Sequence, residues 1–295
     1  MGLGRYILTA ARLAAKPAGW PPPLPPLTPC DSDVAPQTVT LPLNGGQTDA
    51  TLSLPSSEAR GVVVLLHAGG ADREGAWPWA RALRDIGVAG LAPDLDGHGS
   101  NTRPFTSVSR AAEVALAALD ALDALDLPGP TALLGGSLGG VVALRAAEMH
   151  IGASRAPQSG RSLVALALLA TPYTSPVWQM LSPNLLRSAW EGQLIVGRPV
   201  RREGPRPRLA ALRDSLAHEN LLDSVRAVAS RPLLLVCGQY DPFAPPSQGA
   251  AYRRVHGSAT LQVVPAAHAG ALYGDAAVAS AAGWLGQRLG PCNSE

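Results

Sequence analysis

A serine among glycines is the residue of this sequence that most directly suggests chemistry. Residues 135–139 read Gly-Gly-Ser-Leu-Gly, with Ser137 at the centre. The apolar run TALLGG, which has the character of a strand, leads into the serine, and a helical pattern (138–149) begins directly after it. A serine at a sharp strand-to-helix turn is exposed at the carboxyl end of its strand, and flanking glycines let the strand and the helix approach closely. The pattern predicts that Ser137 is a nucleophile.

A glycine-rich turn before a helix can also bind a phosphate group, but the sequence argues against this. A phosphate-binding P-loop needs a lysine beside its serine or threonine, and the only lysine is Lys16. The stretch GGSLGG lacks Gly-x-Gly-x-x-Gly spacing, and no acidic residue stands near Gln158 to bind a ribose. We therefore expect no nucleotide and no other cofactor here.

A serine hydroxyl is a weak nucleophile at neutral pH and needs a base, which a carboxylate must orient. Asp241 directly follows the apolar run 232–238, and His268 directly follows the run 259–265. Both come after the serine in the chain, in the order aspartate then histidine that this kind of site uses. We predict that His268 is the base and Asp241 its partner. The rival His256 precedes a strand, so we expect it at the surface.

The reaction also needs two backbone N–H groups to stabilise an oxyanion. The residue after the nucleophile, Leu138, is one predicted donor. The loop LLHAGGAD (65–72) after the first long apolar strand should supply the other, and its position points to Gly69.

Other polar residues near strand ends are expected to have structural roles. We predict that His67 and Asp94 hold loops by hydrogen bonds from their side chains to the backbone, and that His98 belongs to a turn with the composition DGHGSN. The six histidines show no metal-ligand spacing, so no metal is expected. Cys237 lies in an apolar run and is expected to be buried.

Hydrophobic patterning predicts an α/β fold. Residues 38–55 read as a β-hairpin, and strands then alternate with helices, which favours a doubly wound, mostly parallel sheet. We assign this core to 37–171 and 231–295. The regular pattern lapses at 172–230, which we interpret as an insertion, and 1–36 is a proline-rich extension.

Composition limits the partners. The net charge is only +2, so nothing favours nucleic acid, and no apolar run is long enough for a transmembrane span. The N-terminal segment carries Arg5, Arg12 and Lys16 without an acid. A cytoplasmic location is favoured, with organelle targeting by this basic segment left open. The sequence does not determine the oligomeric state.

These motifs together resemble the α/β-hydrolase superfamily, over roughly residues 38–290. The stretches LLHAGG, LAPDLDGHGSN, GGSLGG, GQYDPFAP and VPAAHAG occur in that superfamily's order. Members often have His-Gly where this chain has His67-Ala68. The resemblance implies that the insertion at 172–230 is a cap over the pocket.

The resemblance also implies a serine hydrolase that cleaves a carboxylic ester through an acyl-enzyme. Trp178 and Trp190 in the cap suggest a small-molecule substrate with an apolar part. A thioester, a lactone or a small amide stays open as the substrate. A non-catalytic binding protein of the same fold is a further alternative.

Overall fold

The computed structural model describes residues 34–127, 129–152, 162–172, 214–215 and 219–290. Its strands are β1 (Gln37–Leu43), β2 (Gly46–Ser53), β3 (Val62–Leu66), β4 (Ala89–Pro93), β5 (Thr131–Gly136), β6 (Leu163–Leu169), β7 (Leu233–Gly238) and β8 (Thr260–Val264). Its helices are α1 (Trp77–Arg84), α2 (Val108–Ala124), α3 (Leu138–Gly152), α4 (Leu221–Ala227), α5 (Pro246–His256), α6 (His268–Tyr273) and α7 (Asp275–Gly286).

All of these strands form one mixed sheet in the order β1-β2-β4-β3-β5-β6-β7-β8. β1 and β2 form the predicted hairpin around Asn44-Gly45, and β2 pairs antiparallel with β4. From β4 to β8 every pairing is parallel. The predicted fold class, a doubly wound sheet with an N-terminal hairpin, is confirmed, and the apolar runs TALLGG, 232–238 and 259–265 match β5, β7 and β8 to within one residue.

The central strands are buried because helices cover both faces of the sheet. Every residue of β3, β4 and β5 is buried, as continuous apolar runs predict for parallel strands. Alternate residues of β3 enter different cores: Val62 and Val64 pack with α2 and α3, whereas Val63 and Leu65 pack with α1 and α7. None of the described helices is both long and apolar enough to cross a membrane.

Some sequence predictions fall on other parts of the chain. Almost all of the extension 1–36 and most of the insertion 172–230, including Trp178 and Trp190, lie outside the described residues.

The prediction that His256 lies at the surface is wrong. His256 ends α5 and is buried, with 5% of its surface exposed. Its Nε2 hydrogen-bonds the carbonyl oxygen of Arg231, just before β7. Helix α5 follows β7 and precedes β8 in the chain, and it packs against both strands. Its last residue therefore lies near the segment that leads into β7.

Close packing at the start of α3 accounts for two glycines around Ser137. A Cβ atom on Gly139 would lie 1.9 Å from the carbonyl oxygen of Leu66, at the end of β3. A Cβ atom on Gly135 would lie 2.3 Å from the carbonyl oxygen of Gly139. The obstacles are backbone atoms, which cannot rotate away, so larger residues at these positions would separate the helix from the sheet.

Gly139→Ala should therefore reduce the free energy of unfolding by at least about 2 kcal/mol, because overpacking displaces backbone. Gly283→Ala is the matched control, since this helical glycine has no atom within 4 Å of an added Cβ. That change should be neutral or stabilise by about 0.5–1 kcal/mol. Urea denaturation followed by circular dichroism measures both. Equal effects would contradict the packing argument.

A fully buried ion pair holds the loop after β4 against the hairpin. The Arg103 side chain donates to both carboxylate oxygens of Asp96, at 2.9 and 3.1 Å. It also donates to the Asn44 carbonyl oxygen in the hairpin turn and to Glu113 in α2. Burial raises the pKa of Asp96 to about 6, above its ordinary value of 3.8, against the opposing attraction of Arg103.

Arg103→Met should destabilise the protein by about 3–5 kcal/mol at pH 8, because it leaves a buried carboxylate unpaired. Without Arg103 the pKa of Asp96 rises further, so the carboxyl group is neutral at pH 5. The folded state binds this proton more tightly than the unfolded state, and the loss of stability should therefore be smaller at pH 5 than at pH 8. Urea denaturation at both values measures this.

Arg226→Met is the control for that prediction. Arg226 pairs with Asp223 on the surface of α4, where both side chains are more than half exposed. Its loss should cost no more than about 1 kcal/mol at either pH. An Arg103→Met penalty that stayed constant from pH 5 to pH 8 would show that the Asp96 charge does not cause it.

Candidate active site

Ser137 occupies a strained turn between β5 and α3. Its φ angle is +50°, a region that residues with a side chain rarely adopt. The turn is held at both ends. The Ser137 N–H donates to the carbonyl oxygen of Leu169 at 2.9 Å, and the Ser137 carbonyl oxygen accepts from Gly140 and Val141 in the first turn of α3. This turn places the serine side chain at the carboxyl end of the parallel strands.

The structure brings the three predicted side chains within hydrogen-bond distance of one another, in the order serine, histidine, aspartate. The Oγ of Ser137 lies 3.0 Å from Nε2 of His268, and Nδ1 of His268 lies 2.7 Å from Oδ2 of Asp241. A carboxylate only accepts hydrogen bonds, so Nδ1 carries the proton and Nε2 is left to accept from the serine hydroxyl. This arrangement gives the hydroxyl a base and gives the base a negative partner.

Asp241 is fixed by its own backbone environment. Its second oxygen, Oδ1, accepts from the N–H groups of Phe243 and Ala244 at 2.8 and 3.0 Å. The carboxylate is fully buried and has both oxygens occupied, so its direction toward His268 is defined. The Phe243 ring also packs edge-on against the imidazole, with the ring centres 5.2 Å apart.

The two predicted oxyanion donors lie next to each other. A Cβ atom on Gly69 would lie 3.4 Å from the Leu138 side chain, so the loop after β3 and the start of α3 are in contact. The neighbouring N–H of Gly70 already donates to His98, whereas no described residue accepts a hydrogen bond from the Gly69 N–H. Ala68, the residue before Gly69, is fully buried in the core that packs on α1.

The predicted structural residues hold the loops around this site. Nε2 of His67 accepts from the Leu95 N–H at 3.0 Å. Asp94 accepts from the backbone N–H groups of Arg73 and Ser100 at 2.7 and 2.9 Å. The prediction that His67 and Asp94 bind loop backbone is confirmed, and His98 makes the same kind of contact.

Helix α6, which begins at His268, is supported by residues that no sequence motif indicated. The indole N–H of Trp79 donates to the Leu272 carbonyl oxygen at 2.7 Å, and the Trp79 ring stacks on Tyr273. A Cβ atom on Gly136 would lie 2.7 Å from both Trp79 and Leu272. Because Gly136 has no side chain, Trp79 and Leu272 can pack against it, and this packing stabilises α6.

Comparison with known sequences agrees with this geometry. Residues 63–281 match the model of a family described as the alpha/beta hydrolase family. A pimeloyl-[acyl-carrier protein] methyl ester esterase of Neisseria meningitidis is 30% identical over 246 residues, which cover 70% of this chain and 85% of that esterase.

Solved structures show the same fold at lower identity. Est1E from Butyrivibrio proteoclasticus with bound ferulic acid has a TM-score of 0.67 at 20% identity, over 85% of this chain and 99% of that one. The Pyrococcus furiosus esterase Pf2001 has a TM-score of 0.64 at 15% identity, over 89% of this chain and 96% of that one. The chain therefore belongs to the alpha/beta hydrolase family and is an esterase-like hydrolase.

Proposed function

We propose that the protein is a serine hydrolase that cleaves a carboxylic ester through an acyl-enzyme on Ser137. The observation that carries this proposal is the continuous hydrogen-bond chain from the serine hydroxyl through His268 to Asp241. The methyl ester esterase of N. meningitidis, 30% identical, supports an ester as the substrate. The reaction needs no metal and no cofactor.

Acylation begins when the Ser137 oxygen attacks the ester carbonyl carbon. As the bond forms, Nε2 of His268 takes the hydroxyl proton, and the buried Asp241 carboxylate stabilises the resulting imidazolium. The carbonyl oxygen becomes an oxyanion, which the N–H groups of Gly69 and Leu138 stabilise. The tetrahedral intermediate then collapses: the bond to the alcohol oxygen breaks, and His268 returns its proton to the departing alcohol.

Deacylation repeats these steps with water. His268 removes a proton from a water molecule, whose oxygen attacks the acyl carbon and forms a second oxyanion. Collapse of this intermediate releases the carboxylic acid, and His268 returns the proton to the serine oxygen. Each group is restored, so the cycle consumes one ester and one water.

The other substrate classes share this chemistry and differ in the leaving group. A thioester, a lactone or a small amide would react at the same serine, and the esterase relative favours the oxygen ester. A non-catalytic binding role would not require the serine, histidine and aspartate to lie within hydrogen-bond distance of each other. A panel of p-nitrophenyl esters of increasing acyl length would define how large an apolar acyl group the pocket accepts.

Ser137→Ala should lower kcat for p-nitrophenyl butyrate by roughly 10⁴-fold or more, because it removes the nucleophile. The fold should be retained, since only one hydroxyl group is lost. Ser258→Ala, at an exposed serine far along the chain, is the control and should keep the parent rate. Residual hydrolysis by Ser137→Ala close to that of the parent, in a preparation free of other esterases, would refute the proposal.

Asp241→Asn should lower kcat by about 10³–10⁴-fold, because an amide can donate to Nδ1 of His268 and thus leave the proton on Nε2. The asparagine oxygen can still accept from Phe243 and Ala244, so the melting temperature should change little. Asp223→Asn, at an exposed ion pair, is the matched control. A kcat loss in Asp241→Asn no greater than in this control would remove Asp241 from the mechanism.

A further inference from the structure

Two buried histidines outside the serine–histidine–aspartate set lie next to each other, in the loops after β3 and β4. His67 and His98 are both fully buried, with ring centres 5.0 Å apart in an edge-to-face arrangement. His67 lies in the loop after β3 and His98 in the loop after β4, and these strands are neighbours in the sheet. The proposed reaction uses neither ring.

Each histidine binds the backbone of the other's loop. Nε2 of His67 accepts from the Leu95 N–H at 3.0 Å, and Nε2 of His98 accepts from the Gly70 N–H at 3.1 Å. Each Nδ1 lies 2.9 Å from a carbonyl oxygen in its own loop, that of Ala68 for His67 and that of Asp96 for His98. We call this reciprocal pair, His67 with His98, the histidine clasp.

These contacts define the protonation of both rings. A carbonyl oxygen can only accept a hydrogen bond and a backbone N–H can only donate one. Both rings are therefore neutral, with the proton on Nδ1 and the lone pair on Nε2. A proton on Nε2 of either ring would point at a backbone N–H group and break the clasp.

The clasp fixes the peptide unit that contains the Gly69 N–H. The Ala68 carbonyl oxygen accepts from Nδ1 of His67 and also from the Ala71 N–H at 3.1 Å. In a planar trans peptide the carbonyl and the following N–H point in opposite directions. Holding the Ala68 oxygen toward the clasp therefore directs the Gly69 N–H away from it. The next peptide is held as well, because the Gly70 N–H is bound to His98.

We propose that His67 and His98 are positioning residues that aim the Gly69 N–H at the oxyanion. This inference rests on the proposed function, in which that N–H is one of the two donors. A donor held in place before the reaction needs no reorganisation when the negative charge develops, which is the condition under which such donors accelerate a reaction most. Loss of the clasp should therefore lower kcat and leave KM nearly unchanged, because the oxyanion exists only in the transition state and the intermediate.

Asparagine and glutamine substitutions separate the two hydrogen bonds of each ring. The asparagine amide reaches the place of Nδ1, and the longer glutamine amide reaches the place of Nε2. His98→Gln keeps an acceptor for Gly70 and His98→Asn does not. His67→Asn keeps a donor to the Ala68 oxygen and His67→Gln does not. Each variant loses one buried hydrogen bond, so the four variants are matched for structural damage.

The proposal predicts a crossed pattern. His98→Asn and His67→Gln should lower kcat for p-nitrophenyl butyrate by roughly 10–100-fold, with KM within about threefold of the parent value. His98→Gln and His67→Asn should stay within about threefold of the parent kcat. If all four variants lost activity alike, or if kcat followed the melting temperature, the histidines would be merely structural and the proposal would be overturned.

A second measurement tests the clasp without relying on hydrolysis. ¹⁵N NMR of the parent protein near neutral pH should show both rings as the neutral tautomer with the proton on Nδ1, which is the rarer tautomer of free histidine. A proton on Nε2 of either ring would overturn the clasp whatever the activity. Hydrolysis that survives Ser137→Ala would overturn the proposed function and, with it, the positioning role. The NMR result for the tautomers of His67 and His98 would still stand. Hydrolysis that depends on Ser137 but shows no crossed pattern would overturn the positioning role alone.

Discussion

The conformation of one residue, Ser137, sets the arrangement of the whole site. A φ of +50° in a residue with a side chain costs on the order of 1–3 kcal/mol and persists only where the surroundings impose it. Here the Leu169 carbonyl holds the serine N–H, and the first turn of α3 holds its carbonyl. The close approach that this turn demands leaves no room for a Cβ at Gly139. The strain at one serine therefore depends on the packing of a helix and three strands.

The groups around the serine are fixed before any substrate binds. Asp241 has both oxygens occupied, one by His268 and one by two backbone N–H groups. On the opposite side, the loops after β3 and β4 are tied to each other through buried polar side chains, whose hydrogen bonds are strong because water is excluded. A site that positions charge in advance lowers the barrier for a reaction in which charge develops.

Much of the fold and of the candidate site could be predicted because the signals are local. Continuous apolar runs indicated β3, β5 and β7, and the glycines around Ser137 indicated a tight strand-to-helix turn. The contacts that the sequence did not reveal join distant segments. The bond from Trp79 to Leu272 links residues 193 positions apart, and the buried His256 hydrogen-bonds the carbonyl oxygen of Arg231, 25 positions earlier. The reciprocity of His67 and His98 likewise appears only once β3 and β4 are neighbours.

The central claim is that Ser137 is the nucleophile, and covalent labelling tests it most directly. A fluorophosphonate reacts with an activated serine and leaves a stable phosphonyl group on its oxygen. Intact-mass spectrometry of the full-length protein should show a single adduct, and peptide mapping should place it on Ser137. Asp241→Asn, which should leave His268 unable to accept the serine proton, should label far more slowly. A folded protein that hydrolyses esters yet carries the adduct on another residue, or takes up none, would contradict the account.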